Sequence, residues 1–181
     1  MLFWHLGATT LLVRYTFRDE RMDLRTLAIG AVVADLIDTP IGLALFASTS
    51  SILLVAHSLL VAALVMIGVV LVTRRGRPRR RWMAIPVAML MHLLLDGMWS
   101  HPESLLWPFF GFDFAPSGFE TAGAYLEAIV TDPLRWAGEA FGLAYLVYLW
   151  RAGGLSDREA RREFTRTGII HVPIGVSDSP S

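Results

Sequence analysis

The chain has 181 residues, of which 54% are hydrophobic and 18% charged, with a mean hydropathy of +0.51 and a formal net charge of zero. A soluble domain of this size would carry more charge and fewer unbroken apolar stretches, so the composition argues against one. The absence of cysteine excludes disulfides, thiolate metal ligands and thiol nucleophiles.

Five hydrophobic segments follow one another, and most approach the roughly 20 residues with which a helix crosses a bilayer. The first is short and contains Arg14, so a re-entrant helix is an alternative to a full span there. The pattern predicts an all-α, polytopic membrane protein with about five hydrophobic helices. The segments cover residues 2–17, 24–47, 51–73 and 82–100, and a fifth from the N-cap and proline Asp132-Pro133 to Gly153-Gly154.

Shorter helices are predicted outside these segments. The stretch between the fourth and fifth segments is rich in aromatic residues, proline and glycine, and Ser117 and Glu120 in it have the spacing of a capping box. We therefore expect an interfacial loop and helix on the outer side. Ser156 and Glu159 likewise predict a charged helix. The predicted domains are a membrane helical domain, 1–154, and a cytoplasmic charged helix with a disordered tail, 155–181.

The arginines set the predicted orientation. All sixteen basic residues are arginine, and fifteen of them lie in three regions, 14–25, 74–81 and 151–166, that share one side of a five-span topology. By the positive-inside rule that side is cytoplasmic, so the N-terminus lies outside and the C-terminus inside. The run RRGRPRRR could be a nucleic-acid patch, but topology and anchoring to anionic lipid explain it without a further assumption. We expect a multi-pass protein of the cell membrane whose partner is the lipid bilayer, with no nucleic acid.

Six ionisable residues lie within or at the edges of four of the segments. A charged side chain at the centre of a membrane helix costs about 2.5–3.5 kcal/mol, so each of them requires a reason. With the orientation taken from the arginines, these polar groups fall in the outer half of the membrane. The fifth segment contributes Glu139, which we expect to pair with Arg135 at four-residue spacing. The six residues are His5, Asp35, Asp38, His57, His92 and Asp96.

The spacing of these residues favours a metal site. His92 and Asp96 are four residues apart and Asp35 and Asp38 three apart, so each pair shares one face of a helix. Imidazole and carboxylate together suit a divalent metal such as zinc, our first expectation, or manganese or iron. The set could hold one metal, or two bridged by a carboxylate. The alternatives are hydrogen bonding between helices, for which a lone histidine such as His57 is typical, and a helix break capped by the two aspartates.

Five pieces of the sequence, taken in order, carry a family resemblance: His5, GAVVADLIDTPIG at 30–42, AHSLLVAALV at 56–65, MHLLLDG at 91–97 and SLLWPFFG at 104–111. In them the chain resembles the membrane-bound metal-dependent hydrolase family, small inner-membrane proteins of bacteria and archaea. The family is similar in its motifs to zinc-dependent phospholipase C, which implies a phosphoester substrate. The resemblance implies metal binding by His5, Asp35, His57, His92 and Asp96, with Asp38 as a further candidate.

The chain departs from the family pattern at three places, one of which is the stretch before the third motif, SSILLVAHS, where many members have a longer one that contains histidine. Ala34 stands where the family often has proline, and Asp35 and Asp38 are separated by two residues where the family often has Asp-x-Asp. The number of metals and the role of Asp38 therefore stay open.

The sequence thus predicts a membrane-embedded metal-dependent hydrolase acting at the outer leaflet on a lipid or lipid-linked phosphoester. A spare carboxylate, Asp38 or Asp35, would be its general base. One alternative is an ion or proton transporter or channel that uses the same residues as a pathway, although inverted repeats and a midplane site are not evident. The other is a non-catalytic membrane scaffold whose metal is structural.

Overall fold

The computed structural model describes residues 1–173, and all regular structure in this range is helical, which confirms the all-α prediction for it. Single 3₁₀ turns at Val55–His57 and Met98–Ser100 lie between helices. The disorder predicted for the tail falls mostly on residues 174–181, outside the described range. The α-helices are α1 Leu2–Phe17, α2 Leu24–Ala44, α3 Phe46–Thr49, α4 Leu59–Val72, α5 Arg77–Leu95, α6 Pro102–Leu105, α7 Ala122–Thr131, α8 Pro133–Ala152 and α9 Arg158–Thr167.

Helices α1, α2 and α8 coincide with predicted segments. Of the three predicted N-terminal caps, those of α7, α8 and α9, only that of α8 is correct. Asp132 caps α8 through the N–H of Leu134. Helix α7 begins later than its capping-box spacing predicted, because Thr121 accepts the N–H of Ala124. Helix α9 is capped by Asp157, whose carboxylate accepts two N–H groups of the first turn.

The third hydrophobic segment differs from the prediction. Its first part is irregular chain ending in a 3₁₀ turn, and the helix begins only at Leu59, so His57 precedes α4 instead of lying within it. The cause is local hydrogen bonding. Asp38 of α2 accepts the N–H groups of Ala56 and His57, and Ser58 caps α4. These bonds satisfy backbone groups that a helix would otherwise satisfy.

The helices approach one another through small residues. A Cβ atom on Gly142 of α8 would overlap the backbone of Phe3 in α1. A Cβ atom on Gly30 of α2 would overlap the backbone of Ile85 in α5. Close backbone approach at glycine is typical of helix pairs in membranes. These contacts pack α1 against α8 and α2 against α5.

Large apolar side chains face outward. Leu71, Val72 and Leu134 are 79–86% exposed, whereas much of the buried core consists of alanine, histidine and threonine. Within the described residues, α2 is long and apolar enough to cross a membrane by length and composition. Helix α4 has no charged residue but only 14 residues. Five spans therefore stay a prediction.

Buried polar contacts stabilise the end of the structure at which the C-terminus of α1 and the N-termini of α2 and α5 carry most of their arginines. We name it the arginine-rich end. Asp23 pairs with the guanidinium groups of Arg25 and Arg81 at 2.8 and 2.9 Å. Burial acts to raise the pKa of Asp23, but hydrogen bonds from Arg25 and the charges of both arginines hold that pKa below its ordinary value. Arg14 is buried and donates to the carbonyl oxygen of Val172 at 2.6 Å, so the chain after α9 packs back onto α1.

Candidate metal centre

Five of the six predicted residues converge at one end of the helices. In the described part of the chain, the ligand atoms of Asp35, His57, His92 and Asp96 all lie within 4.8 Å of one another. His5 of α1 points Nε2 at the same place, 3.2 Å from Oδ1 of Asp96. Asp35 comes from α2, His92 from α5, Asp96 from the residue that ends α5, and His57 from the turn before α4. We name these five residues the His/Asp cluster.

The nitrogen and oxygen atoms of the cluster face a small common volume. Nε2 of His92 lies 3.1 Å from Oδ2 of Asp96 and 3.3 Å from Nε2 of His57. Oδ1 of Asp35 lies 3.4 Å from Nε2 of His57 and 3.7 Å from Nε2 of His92. The ring of His5 packs against that of His92, with 4.1 Å between ring centroids.

Two hydrogen bonds determine which nitrogen atoms face this volume. Nδ1 of His57 bonds to Oδ2 of Asp38, and Nδ1 of His92 bonds to the carbonyl oxygen of Ala31, both at 2.8 Å. Carbonyl and carboxylate oxygens only accept, so both Nδ1 atoms carry the proton. When neutral, each of these two rings presents a lone pair on Nε2. A hydrogen bond on the far nitrogen is typical of histidines that bind metal.

The donor set fits a divalent metal ion. The two Nε2 atoms face each other at 3.3 Å, with the carboxylates of Asp35 and Asp96 beside them. These atoms repel one another unless a cation or added protons lie between them. Imidazole and carboxylate together suit zinc, manganese or iron.

The histidines are buried and the carboxylates are accessible. The side chains of His5, His57 and His92 are 3% exposed or less, whereas those of Asp35 and Asp96 are 31% and 22% exposed. A cavity of about 610 Å³ opens beside the cluster, between α1, the end of α5 and the start of α8. A ligand in this cavity can therefore approach Asp96 and the edge of His5.

Asp38 lies behind the cluster. It is 2% exposed, and its two oxygen atoms accept the N–H groups of Ala56 and His57 and Nδ1–H of His57. Asp35 and Asp38 thus contact the same imidazole from opposite sides, at Nε2 and at Nδ1. Outside the cluster, His171 is exposed and lies 3.5 Å from Glu163.

The position of His5 depends on a contact that sequence reasoning missed. Glu139 of α8 accepts the N–H groups of Phe3 and Trp4, at 3.0 and 3.2 Å, and so caps α1 from another helix. The predicted pair of Glu139 with Arg135 was wrong, because Arg135 pairs with Asp132 at 3.2 Å. No local pattern could identify a cap between residues 135 positions apart.

Removing this cap is expected to loosen α1. Glu139→Ala should lower the free energy of unfolding by about 0.5–2 kcal/mol, as loss of an N-cap does. Glu139→Gln keeps an acceptor and should lose less. Thermal unfolding in detergent measures both, with Glu127→Ala on the exposed face of α7 as the control. Equal melting temperatures for Glu139→Ala and Glu127→Ala would contradict the capping role.

Comparison with known proteins gives one match. The model of the YdjM inner membrane protein family matches residues 3–156, a range that contains the whole His/Asp cluster. Neither the curated proteins nor the solved structures gave a match. The matched range covers far more than half of the chain. The chain belongs to the YdjM inner membrane protein family.

Proposed function

We propose that this protein is a metal-dependent hydrolase embedded in the membrane, acting on a phosphoester of a lipid or lipid-linked molecule at the outer leaflet. The observation that carries the proposal is the His/Asp cluster, in which three imidazoles and two carboxylates converge beside a cavity. Buried acceptors of this kind are stable only with a cation or protons between them. The resemblance to the membrane-bound metal-dependent hydrolases supports the phosphoester substrate.

The residues of the cluster have two proposed roles, metal binding and proton acceptance. When bound, a divalent cation supplies Lewis acidity, which acidifies water and offsets negative charge that develops on a phosphoryl group. The three histidines and Asp96 would hold it, because Asp96 has the shorter contacts to imidazole nitrogen, at 3.1 and 3.2 Å. Asp35 is more exposed and lies at least 3.4 Å from each imidazole nitrogen, which favours it as the proton acceptor.

The proposed reaction is one displacement at phosphorus. A water molecule loses a proton to Asp35 while its oxygen forms a bond to phosphorus. The bond from phosphorus to the leaving oxygen breaks, and that oxygen takes the proton from Asp35. The products are an alcohol and a phosphate with one ester bond fewer. Asp38 takes no part in proton transfer here, but orients His57 through Nδ1.

We also propose five membrane spans, with the cluster in the outer half and the N-terminus outside. The outward-facing apolar side chains and membership of an inner membrane protein family support this topology. The cytoplasmic side would be the arginine-rich one.

Labelling tests the topology. The chain has no cysteine, so a single one can be introduced without background. A cysteine replacing Ser117 should react with an impermeant thiol reagent in intact cells, and one replacing Gly76 should react only after the membrane is opened. The opposite pattern would move the cluster to the cytoplasmic half.

The direct test is hydrolysis by the zinc-loaded protein in vesicles. The substrates are phospholipids, lipid-linked phosphates and neutral ester lipids, assayed with and without chelator. We expect cleavage of a phosphoester that chelator abolishes and added metal restores. Transport of metal or protons across the vesicle membrane, with hydrolysis of none of these substrates, would overturn the proposal.

A further inference from the structure

The cavity beside the His/Asp cluster combines apolar walls with one cationic side chain and the carboxylate that pairs with it, Asp132. We name it the outer cavity, and at about 610 Å³ it has the size of a typical small-molecule site. Trp4, Leu134 and Phe141 line one part of it, and His5 and Asp96 of the cluster line another. The cationic side chain is Arg135, in the first turn of α8.

Arg135 is placed to bind an anion. Its Nε lies 3.2 Å from Oδ2 of Asp132, which orients the guanidinium. Within residues 1–173, its two terminal nitrogen atoms make no hydrogen bond or ion pair, and the side chain is 42% exposed. A guanidinium held at one edge can bind two phosphate oxygens with its remaining N–H groups. By the sequence-based topology, this is also the one arginine of sixteen on the outer side.

The apolar side chains that line the outer cavity indicate which other chemical group its ligand has. Leu134 and Phe141 are 80% and 50% exposed, so the cavity continues into the outward-facing apolar surface of α8. In a bilayer this surface faces hydrocarbon, so a ligand that holds a phosphate group at Arg135 can extend an apolar chain along it without leaving the lipid. A ligand that fits both parts of the cavity has a phosphate group at one end and an apolar chain at the other.

We propose that the outer cavity binds a phosphorylated amphiphile, with Arg135 on the nonbridging phosphate oxygens and Trp4, Leu134 and Phe141 on the chain. The inference rests on the proposed function for the position of the reacting bond, but it assigns the residue that selects a phosphorylated lipid over a neutral one. Arg135 would be a specificity-determining residue, separate from those that hold the metal.

Binding without turnover tests the assignment. Zinc-loaded protein in neutral detergent is titrated with dodecyl phosphate, inorganic phosphate and dodecyl glucoside by calorimetry, and zinc content is measured in parallel. Arg135→Gln should weaken the binding of dodecyl phosphate at least about tenfold, as loss of a charge-assisted hydrogen bond does, with zinc content unchanged. Arg135→Lys should lose less. Arg151→Gln, at the other end of α8, is the matched control and should change nothing.

Each contrary outcome has a distinct meaning. Unchanged dodecyl phosphate binding in Arg135→Gln would overturn the assignment of Arg135. Equal affinity for inorganic and dodecyl phosphate would overturn the amphiphile and leave free phosphate as the ligand. Arg135-dependent binding by a protein that hydrolyses nothing would support this inference while the hydrolase proposal fails. Phosphoester hydrolysis with the same KM in Arg135→Gln as in the wild type would support the hydrolase proposal and overturn the assignment of Arg135.

Discussion

His92→Ala is expected to lower the affinity for zinc by more than about 100-fold, and Asp96→Ala should do the same. Loss of an outer hydrogen-bonding partner of a metal ligand typically costs 10–100-fold, and loss of a ligand should cost more. Nε2 of His92 contacts His57, Asp35 and Asp96, so no other side chain can replace its lone pair at that position. Competition with a metal-binding dye measures the affinity.

Two controls separate loss of metal from loss of fold. His171→Ala changes an exposed imidazole outside the cluster and should leave the affinity unchanged. Asp96→Asn keeps the shape of the side chain, so a helical and monodisperse Asp96→Asn protein that lacks metal would assign the effect to the lost charge. Full metal occupancy in both alanine variants would leave hydrogen bonding between helices as the better account of the cluster.

Asp35→Asn and Asp38→Asn are both expected to lower hydrolysis, but for different reasons. Asp35→Asn should keep most of its metal, through three histidines and Asp96, and lose hydrolysis by about 10²–10⁴-fold, the usual contribution of a general base. Asp38→Asn places an amide where three N–H donors converge, so His57 loses its orientation. Metal affinity should fall about 10–100-fold, and hydrolysis should recover at saturating metal.

Measuring the rate at several metal concentrations separates the two roles. The rate of Asp35→Asn should stay low throughout, and that of Asp38→Asn should rise towards the wild-type value. An Asp38→Asn protein that binds metal normally and is slow at every concentration would make Asp38 the base, which the sequence also allowed. Loss of metal in Asp35→Asn would make Asp35 a ligand, and the base would have to be another group.

The members of the cluster could be found from the sequence because polar residues in apolar segments need partners. His5, Asp35 and His92 lie on helices that the sequence located, and Asp96 directly follows the helix that carries His92. Helical geometry with the arginine pattern predicts a common depth for all four. The turn that positions His57 could not be predicted in this way. The 3₁₀ turn that carries His57 depends on Asp38, a residue of another helix, and no local propensity encodes it.

The supporting contacts could not be predicted for the same reason. The carbonyl of Ala31 fixes the tautomer of His92, but every residue has a carbonyl and only packing selects this one. Glu139 caps α1 because Gly142 lets the two helices approach, and the sequence offered a nearer partner for it in Arg135. Tertiary packing decides such contacts, and local spacing does not contain that information.

Metal analysis of the purified wild-type protein tests the central claim most directly. Protein extracted without chelator should contain zinc, manganese or iron in stoichiometric amount. Chelator should remove the metal reversibly, and His171→Ala should match the wild type while His92→Ala should lack the metal. Protein that contains none of these metals, and takes up none when they are added, would contradict the account.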